Sequence, residues 1–159
     1  MAQGTEREMG TDRLQLAIPP EPGYIAMSRM FAASVARHYG CDEDIVEDLK
    51  VAISEACTNS VKAHRDGGTE EPIQLRARRV DDTLEFEVVD SGMGIDPALQ
   101  AAAADAAVTP AAGLYEGSLG LSLIRSLFPN TEILRNEDRG TTVRFTVPLG
   151  DGSERISLD

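Results

Sequence analysis

The chain has 159 residues, of which 42% are hydrophobic and 4% aromatic, so we expect a single domain whose core is filled by aliphatic side chains. Its formal net charge of −12 argues against nucleic acid or an anionic membrane as the primary partner, because both would repel it, whereas a basic protein surface would attract it. Two cysteines are too few for a disulfide framework, which favours the reducing cytoplasm. No run of residues approaches the roughly 20 apolar residues of a membrane-spanning helix, so we expect a soluble protein.

The N-terminal half is predicted to contain one strand and two helices. Residues 1–12 are polar and charged, and are expected to form a disordered tail without an apolar signal core. Alternating residues predict a strand over Leu14–Pro19. Apolar residues then recur at helical spacing over Tyr24–Tyr39, and Gly40 is expected to end that helix. A second helix, capped by its first residue, is predicted over Asp42–His64.

The C-terminal half is predicted to contain two hairpins. "IQLRARRV" and "TLEFEVVD" flank a tight turn at Asp81–Asp82. Residues 91–118 are rich in Gly and Ala, and "PALQAAAADAA" within them could be helical; a helix then begins near Ser118 and ends before Pro129. The strands "TEILRNE" and "TTVRFTVPL" follow, and the tail after Gly150 is expected to be loose. Strands joined by hairpins favour an α+β two-layer sandwich, with a mostly antiparallel mixed sheet and helices on one face.

A carboxylate and an amide interrupt the apolar face of the second helix. At about 100° per residue, Glu55 and Asn59 lie together on one edge of the apolar arc, where a cleft above the sheet would open. A partly desolvated charge at that edge would need a partner. The alternative is a solvated border pair that stabilises the helix by roughly a few tenths of a kcal/mol. The arc comprises Ile45, Leu49, Ala52, Ile53, Ala56 and Ala63.

Two glycine-containing stretches lie further along the chain. "VVDSGMGI" puts Asp90 at the end of a strand, followed by Gly92 and Gly94, which permit positive φ and the close approach of a ligand. "EGSLGLSLI" puts Gly117 and Gly120 at the start of an apolar helix, whose free N–H groups suit a phosphate. Taken alone, each stretch is more typical of an ordinary glycine-rich turn or helix cap.

A third stretch, "RGTTVRFTV", places Gly140, Thr141 and Thr142 at a hairpin turn that enters the last strand. Threonines in a strand are usually only β-formers. Together, in this order and spacing, these pieces resemble the motifs of the GHKL (Bergerat-fold) ATPases, which include histidine kinases, Hsp90, MutL and type II topoisomerase ATPase domains. Within that superfamily the chain is similar to the bacterial anti-sigma serine kinases of the RsbW and SpoIIAB type.

The resemblance rests on four motifs. "LKVAISEACTNSVKAH" resembles the N box of these kinases, "VVDSGMGID" and "GSLGLSLIRSLFP" resemble their first and second glycine boxes, and "RGTTVRFTVPL" resembles their terminal Gly-Thr strand. It extends over about residues 14–148 and implies one Bergerat-fold domain over residues 13–149. An ATP lid is implied at about residues 96–116, and residues 150–159 would be a loose tail.

The resemblance also implies roles for individual residues. Glu55 would be the general base that takes a proton from an attacking hydroxyl, Asn59 would bind both ATP and Mg²⁺, and Ala63 would give the adenine room. Asp90 would bind the exocyclic amine of adenine, helped by a threonine. The remaining positions implied in ATP binding are Gly92, Gly94, Gly117, Gly120, Leu121, Thr141 and Thr142.

By the same resemblance, the chain would be an ATP-dependent serine kinase and anti-sigma factor. As a homodimer it would hold a sigma factor inactive, and it would phosphorylate a serine of a STAS-domain anti-anti-sigma protein. The alternative is a nucleotide-gated partner-binding module with little phosphoryl transfer, because no Lys or Arg occurs from Gly92 to Ile124, where family members can place a basic lid residue. A third alternative is an unrelated α+β protein with chance motifs.

Other chemistries fit the sequence poorly. No G-x-x-x-x-G-K-[ST] loop is present. The pairs His38 with Cys41 and Cys57 with His64 supply too few ligands for a closed zinc site. The acidic run Asp42–Asp48 is typical of a solvated helix start, although it could contribute to docking a basic sigma-factor surface.

Overall fold

The described residues form a five-stranded sheet and three helices. The computed structural model describes residues 12–92 and 116–149. A short 3-10 turn, Pro22–Tyr24, precedes the first helix. The elements in chain order are β1 (Arg13–Ile18), α1 (Ile25–His38), α2 (Glu43–Gly67), β2 (Ile73–Val80), β3 (Thr83–Val89), α3 (Glu116–Leu127), β4 (Glu132–Arg135) and β5 (Thr141–Pro148).

The strand order is β1-β2-β3-β5-β4, so the C-terminal strand β5 lies between β3 and β4. All four pairings between the described strands are antiparallel. The predicted α+β class with a mostly antiparallel sheet is therefore confirmed. The parallel pair that a mixed sheet would contain does not occur among these five strands.

The helices and one face of the sheet share a single hydrophobic core. Along β3 the residues alternate, with Leu84, Phe86 and Val88 buried. Phe86 stacks on Phe145 of β5 with ring centroids 6.0 Å apart. Burying one such side chain contributes roughly 1.5–3 kcal/mol relative to leaving it exposed. α2 contacts α1, α3 and β3, and so occupies the centre of the helical layer.

The boundaries of α2 differ from the predicted ones. The helix continues beyond His64 to Gly67, because the residue with left-handed backbone that ends it is Gly68, at φ 65°. The amides of Gly68 and Thr69 close the last turn on the carbonyls of Arg65 and His64. At the other end, Asp42 occupies the N-cap position with extended backbone, but its side chain makes no capping hydrogen bond.

α3 begins two residues before the predicted start at Ser118. The predicted helix within "PALQAAAADAA" lies outside the described residues. So do the lid at residues 96–116 and the two tails, apart from Asp12 and Glu116, and these boundaries stay predictions. Within the described ranges, no helix combines the length and the apolar character that crossing a membrane requires.

Candidate functional site

Glu55 and Asn59 lie on the side of α2 that faces the start of α3. Both side chains are half-buried. A Cβ atom added at Gly120 would lie 2.9 Å from Glu55 Oε2 and 3.3 Å from Asn59 Nδ2. The absence of a side chain at Gly120 therefore lets the N-terminal part of α3 approach the carboxylate and the amide. The structure brings together three of the residues that the sequence analysis selected.

The amide of Asn59 is unsatisfied. Its Nδ2 atom is buried and has no hydrogen-bond partner among the described residues. A buried polar group without a partner costs about 1–3 kcal/mol, so such groups are usually matched by a ligand, an ion or water. Asparagine oxygen and carboxylate oxygen are also hard ligands of the kind that Mg²⁺ prefers. The orphaned Nδ2 donor therefore suits an acceptor atom of a ligand, and the side-chain oxygen of Asn59 suits a metal ion.

Asp90 forms the second half of the site. It is 6% exposed, although it carries a carboxylate. Oδ1 accepts hydrogen bonds from the amides of Gly92 at 3.1 Å and Thr141 at 3.2 Å, and Oδ2 accepts one from the hydroxyl of Ser60 at 3.0 Å. A carboxylate has about four acceptor positions, so the three donors among the described residues leave one further position. The free position suits an N–H donor of a ligand.

The backbone on both sides of Asp90 is fixed by the turn between β4 and β5. The Asp90 amide donates to the carbonyl of Thr141, and the Asp90 carbonyl accepts from Asn136 Nδ2 at 3.0 Å. Thr142 donates its hydroxyl to Asn136 Oδ1 at 2.6 Å. Gly140 has φ 98°, and a Cβ atom there would lie only 1.9 Å from the Asp90 carbonyl oxygen. Only glycine permits this close approach of the two chain segments.

The two halves of the site are connected by α2. A Cβ atom added at Gly92 would lie 2.6 Å from the Cβ of Ala63, so the loop after β3 packs directly on this helix. Glu55 and Ala63 are separated by about 12 Å along the helix axis. The site therefore has one polar end at Glu55 and Asn59 and a second, hydrogen-bonding end at Asp90.

The other predicted positions are placed as follows. Gly117 lies in the first turn of α3. Leu121 is buried in the hydrophobic core next to Gly120. Gly94 lies outside the described residues. The backbone amide of Thr141 donates a hydrogen bond to Asp90, whereas the Thr142 hydroxyl donates one to Asn136.

The sequence analysis missed four residues that contact the loop Asp90–Gly92. Ser60 follows Asn59 directly and is 2% exposed, so a buried hydroxyl beside the polar pair was a signal that could have been used. His64, Asn136 and Arg139 had no such signal. Each of them hydrogen-bonds to one of residues 90–92, which lies 27 to 47 residues away in the chain.

The cysteines have no part in this site. Cys41 and Cys57 are both free and buried. Burial raises the pKa of the Cys57 thiol to about 11, while a hydrogen bond with Ser28 lowers it by less. A thiol with so high a pKa is protonated and unreactive at neutral pH. Among the described residues there is also no group of three or more His, Cys, Asp or Glu side chains arranged for a metal ion.

Comparisons with known proteins identify the family of the chain. The family model described as histidine kinase-like ATPase domain matches residues 18–147. The serine-protein kinase RsbW of Bacillus velezensis is 33% identical over 147 residues, which cover 91% of this chain and 89% of that protein. The RsbW of a Bacillus cereus strain is 35% identical over 138 residues, with 85% and 84% covered.

Two solved structures share the fold. The RsbU and RsbW domains of a Mycobacterium tuberculosis protein superpose with a TM-score of 0.62 at 19% identity, over 86% of this chain and 32% of that one. The present chain thus spans about a third of that longer protein. The SiaB–SiaC complex of Pseudomonas aeruginosa also gives a TM-score of 0.62, at 14% identity, over 84% and 88% of the two chains.

Proposed function

Because the chain belongs to the family of histidine kinase-like ATPase domains, and within it to the serine-protein kinases of the RsbW type, we propose that it transfers the γ-phosphoryl group of ATP to a serine of a STAS-domain anti-anti-sigma protein. Phosphorylation of that antagonist would leave the chain, as a homodimer, free to hold a sigma factor inactive. One observation carries the proposal: Glu55 and Asn59 face Gly120, near the start of α3. Both lie on α2, the same helix that supports Asp90.

The described residues fit ATP and Mg²⁺. The orphaned Nδ2 of Asn59 suits a phosphate oxygen, and the remaining acceptor position of Asp90 suits an N–H donor. Asp90 would accept a hydrogen bond from the exocyclic amine of adenine. Asn59 would hold the metal near the phosphates, and the first amides of α3 would add donors there.

Phosphoryl transfer requires alignment and charge neutralisation more than covalent chemistry from the protein. Bound ATP supplies the phosphoryl group, and bound Mg²⁺ neutralises the charge on it. Glu55 would take the proton that the serine hydroxyl loses as its oxygen bonds to the γ-phosphorus, while the bond from that phosphorus to the bridging oxygen breaks and ADP leaves. Gly120 keeps α3 close to this carboxylate, which excludes water from one side of it.

The proposed protein partners also agree with the charge of the chain. A net charge of −12 favours basic protein surfaces and disfavours phosphate backbones and anionic membranes. A cytoplasmic location follows from the proposed partners, since sigma factors act on transcription there.

A second candidate is a nucleotide-gated partner-binding module with little transfer. It is favoured by the absence of Lys and Arg from Gly92 to Ile124. A basic group beside the γ-phosphate can contribute several orders of magnitude to the rate of phosphoryl transfer.

The test is the variant Glu55→Gln, assayed with Mg²⁺, γ-labelled ATP and the purified STAS-domain partner. We expect the wild type to label a partner serine and Glu55→Gln to lose this activity by about 100-fold or more, with ATP affinity changed by less than about threefold. Glu47→Gln is the matched control, because Glu47 is an exposed carboxylate on the same helix, paired with Lys50.

One result would contradict the kinase, and another would contradict the role of Glu55. If the wild type binds ATP but transfers no label, the chain is the partner-binding module. If Glu55→Gln transfers label as fast as Glu47→Gln, a different group accepts the proton.

A further inference from the structure

The loop Asp90–Gly92 is held by two side chains to which the motif resemblance gives no role. Arg139, in the turn between β4 and β5, donates from Nε to the carbonyl of Gly92 at 3.2 Å and from Nη2 to the carbonyl of Gly67 at 2.9 Å. His64, in α2, accepts the amide of Ser91 on Nε2 at 2.8 Å. We refer to His64 and Arg139 together as the loop clamp.

Each contact of the loop clamp has a physical cause. Gly67 lies in the last turn of α2, where carbonyl groups have no partner within the helix and the helix dipole is negative, so a guanidinium group is stabilised there. The planar fork of arginine can bond two carbonyl groups at once, which an ammonium group on a flexible stem does less well. His64 is fully buried and supplies an acceptor to a backbone amide that would otherwise lack one.

The loop clamp acts on Asp90 through the backbone. Gly92, whose carbonyl is bound by Arg139, donates its own amide to Asp90 Oδ1. The same residue packs against Ala63. Fixing Ser91 and Gly92 therefore sets both the direction of the Asp90 carboxylate and its distance from α2. In the proposed function, the Asp90 carboxylate would face the adenine base.

We propose that Arg139 and His64 are positioning residues that orient the Asp90 carboxylate and thereby set the affinity and base selectivity of the nucleotide site. This inference rests on the proposed function, since it assigns the base to Asp90. Adenine presents an amine donor where guanine presents a carbonyl acceptor. A correctly directed carboxylate accepts the amine and rejects the carbonyl, and a misdirected one distinguishes them less well.

The main test is Arg139→Ala, because Arg139 is exposed and its removal leaves no cavity in the core. ATP and GTP affinities are measured by calorimetry, without any turnover. We expect the dissociation constant for ATP to rise about fivefold to tenfold and that for GTP to change less, so that the preference for ATP falls. Arg139→Lys is expected to lie between wild type and Arg139→Ala. Arg76→Ala, on the opposite face of the sheet, is the control for the change in charge.

His64 is tested by two substitutions of similar size. His64→Gln retains an acceptor for the Ser91 amide, and His64→Leu does not. We expect His64→Gln to keep the ATP preference and His64→Leu to lose it at equal melting temperature. Equal nucleotide affinities for these two variants would overturn the role of His64.

A second readout is hydrogen exchange at the Ser91 and Gly92 amides without nucleotide. The loop clamp predicts faster exchange there in Arg139→Ala than in Arg76→Ala. The role of Arg139 is overturned if Arg139→Ala keeps the wild-type ATP and GTP affinities, or weakens both equally along with a lower melting temperature. If the wild type binds neither nucleotide, the proposed function fails, and the exchange rates alone decide whether Arg139 positions the loop.

Discussion

At the scale of single residues, the site uses two carboxylates in different surroundings. Asp90 is buried and receives three hydrogen bonds from the protein, so it is fixed in place and can select a donor. Glu55 is half-buried, and one of its carboxylate oxygens lies close to Gly120. The difference matches a binding role for Asp90 and a proton-accepting role for Glu55 in the proposed function.

Gly120→Ala is predicted to slow phosphoryl transfer without a matching loss of stability. The added methyl group would lie 2.9 Å from Glu55 Oε2, so the carboxylate or the helix must shift. Because misplacement of a catalytic group by about 1 Å can cost up to about 100-fold, we expect phosphoryl transfer to fall by about tenfold or more. Alanine is favoured over glycine in a helix by about 0.5–1 kcal/mol, so stability should not fall in proportion. Labelling rate and melting temperature, measured together, check this. Unchanged transfer would show that Glu55 does not need its present position.

The buried thiol of Cys57 is predicted to make the folded protein less stable at alkaline pH. Desolvation raises its pKa in the folded protein from 9.0 to about 11, so the folded state holds the thiol proton more tightly than the unfolded state does. The contribution of the protonated thiol to the free energy of unfolding is fully present below pH 9. As the pH rises from about 9 to about 11, the free energy of unfolding falls by roughly 2–3 kcal/mol in total. Urea unfolding across this pH range measures it.

Cys57→Ala is the control for that measurement, since it removes the titrating group. Its stability should fall less steeply over the same pH range. The remaining slope is assigned partly to Cys41, whose pKa is also raised by burial. In the wild type, a thiol reagent should modify Cys57 only when the protein unfolds; rapid labelling of the folded protein would contradict the buried placement.

At the scale of elements, α2 is the organising part of the molecule. It contacts α1, α3 and β3, and it carries Glu55, Asn59, Ser60, Ala63 and His64 within three turns. A rigid helix holds these groups at fixed spacing, which a loop would not do. The ends of α2 therefore affect the site as well as the stability of the fold.

Gly68→Ala is predicted to destabilise the C-terminal end of α2. Gly68 has φ 65°, a conformation that costs a residue with a Cβ atom about 1–2 kcal/mol. The melting temperature should fall by about 2–4 °C per kcal/mol for a chain of this size. Gly23→Ala is the control, because a Cβ atom there meets no atom within 4 Å and its φ is not positive. Equal melting temperatures for the two variants would contradict the cap.

Local patterns predicted most elements of the fold. Helical periodicity predicted α1 and α2, and alternation with a turn at Asp81–Asp82 predicted the β2–β3 hairpin. The place of β5 between β3 and β4 could not be predicted in this way, because it depends on pairing between distant segments such as Val89 with Thr142. The same limit applies to the site residues. The motifs predicted Glu55, Asn59 and Asp90. Asn136 and Arg139 could not be predicted, because they reach the site only where the β4–β5 turn contacts the loop after β3.

At the scale of the whole molecule, ligand binding and folding are linked. A ligand that binds only the folded state stabilises it by about 2.7 kcal/mol at 100 times its dissociation constant. Mg²⁺ with ATP should therefore raise the melting temperature by about 5–10 °C at that concentration. A chelator added with ATP should reduce the increase, since Asn59 is assigned to the metal. Differential scanning fluorimetry measures these shifts, and no shift at any ATP concentration would contradict the nucleotide site.

The strand order has a consequence for the rate of folding. β2–β3 and β4–β5 are hairpins that close short loops, whereas β3–β5 joins segments separated by the whole stretch from Val89 to Thr142. Closing so long a loop is entropically costly, so this pairing is expected to form late, after the folding transition state. Asp90 and Thr141 meet at that junction. A nucleotide held there would slow unfolding and leave the folding rate nearly unchanged, so that the ligand prolongs the lifetime of the native protein without guiding its formation.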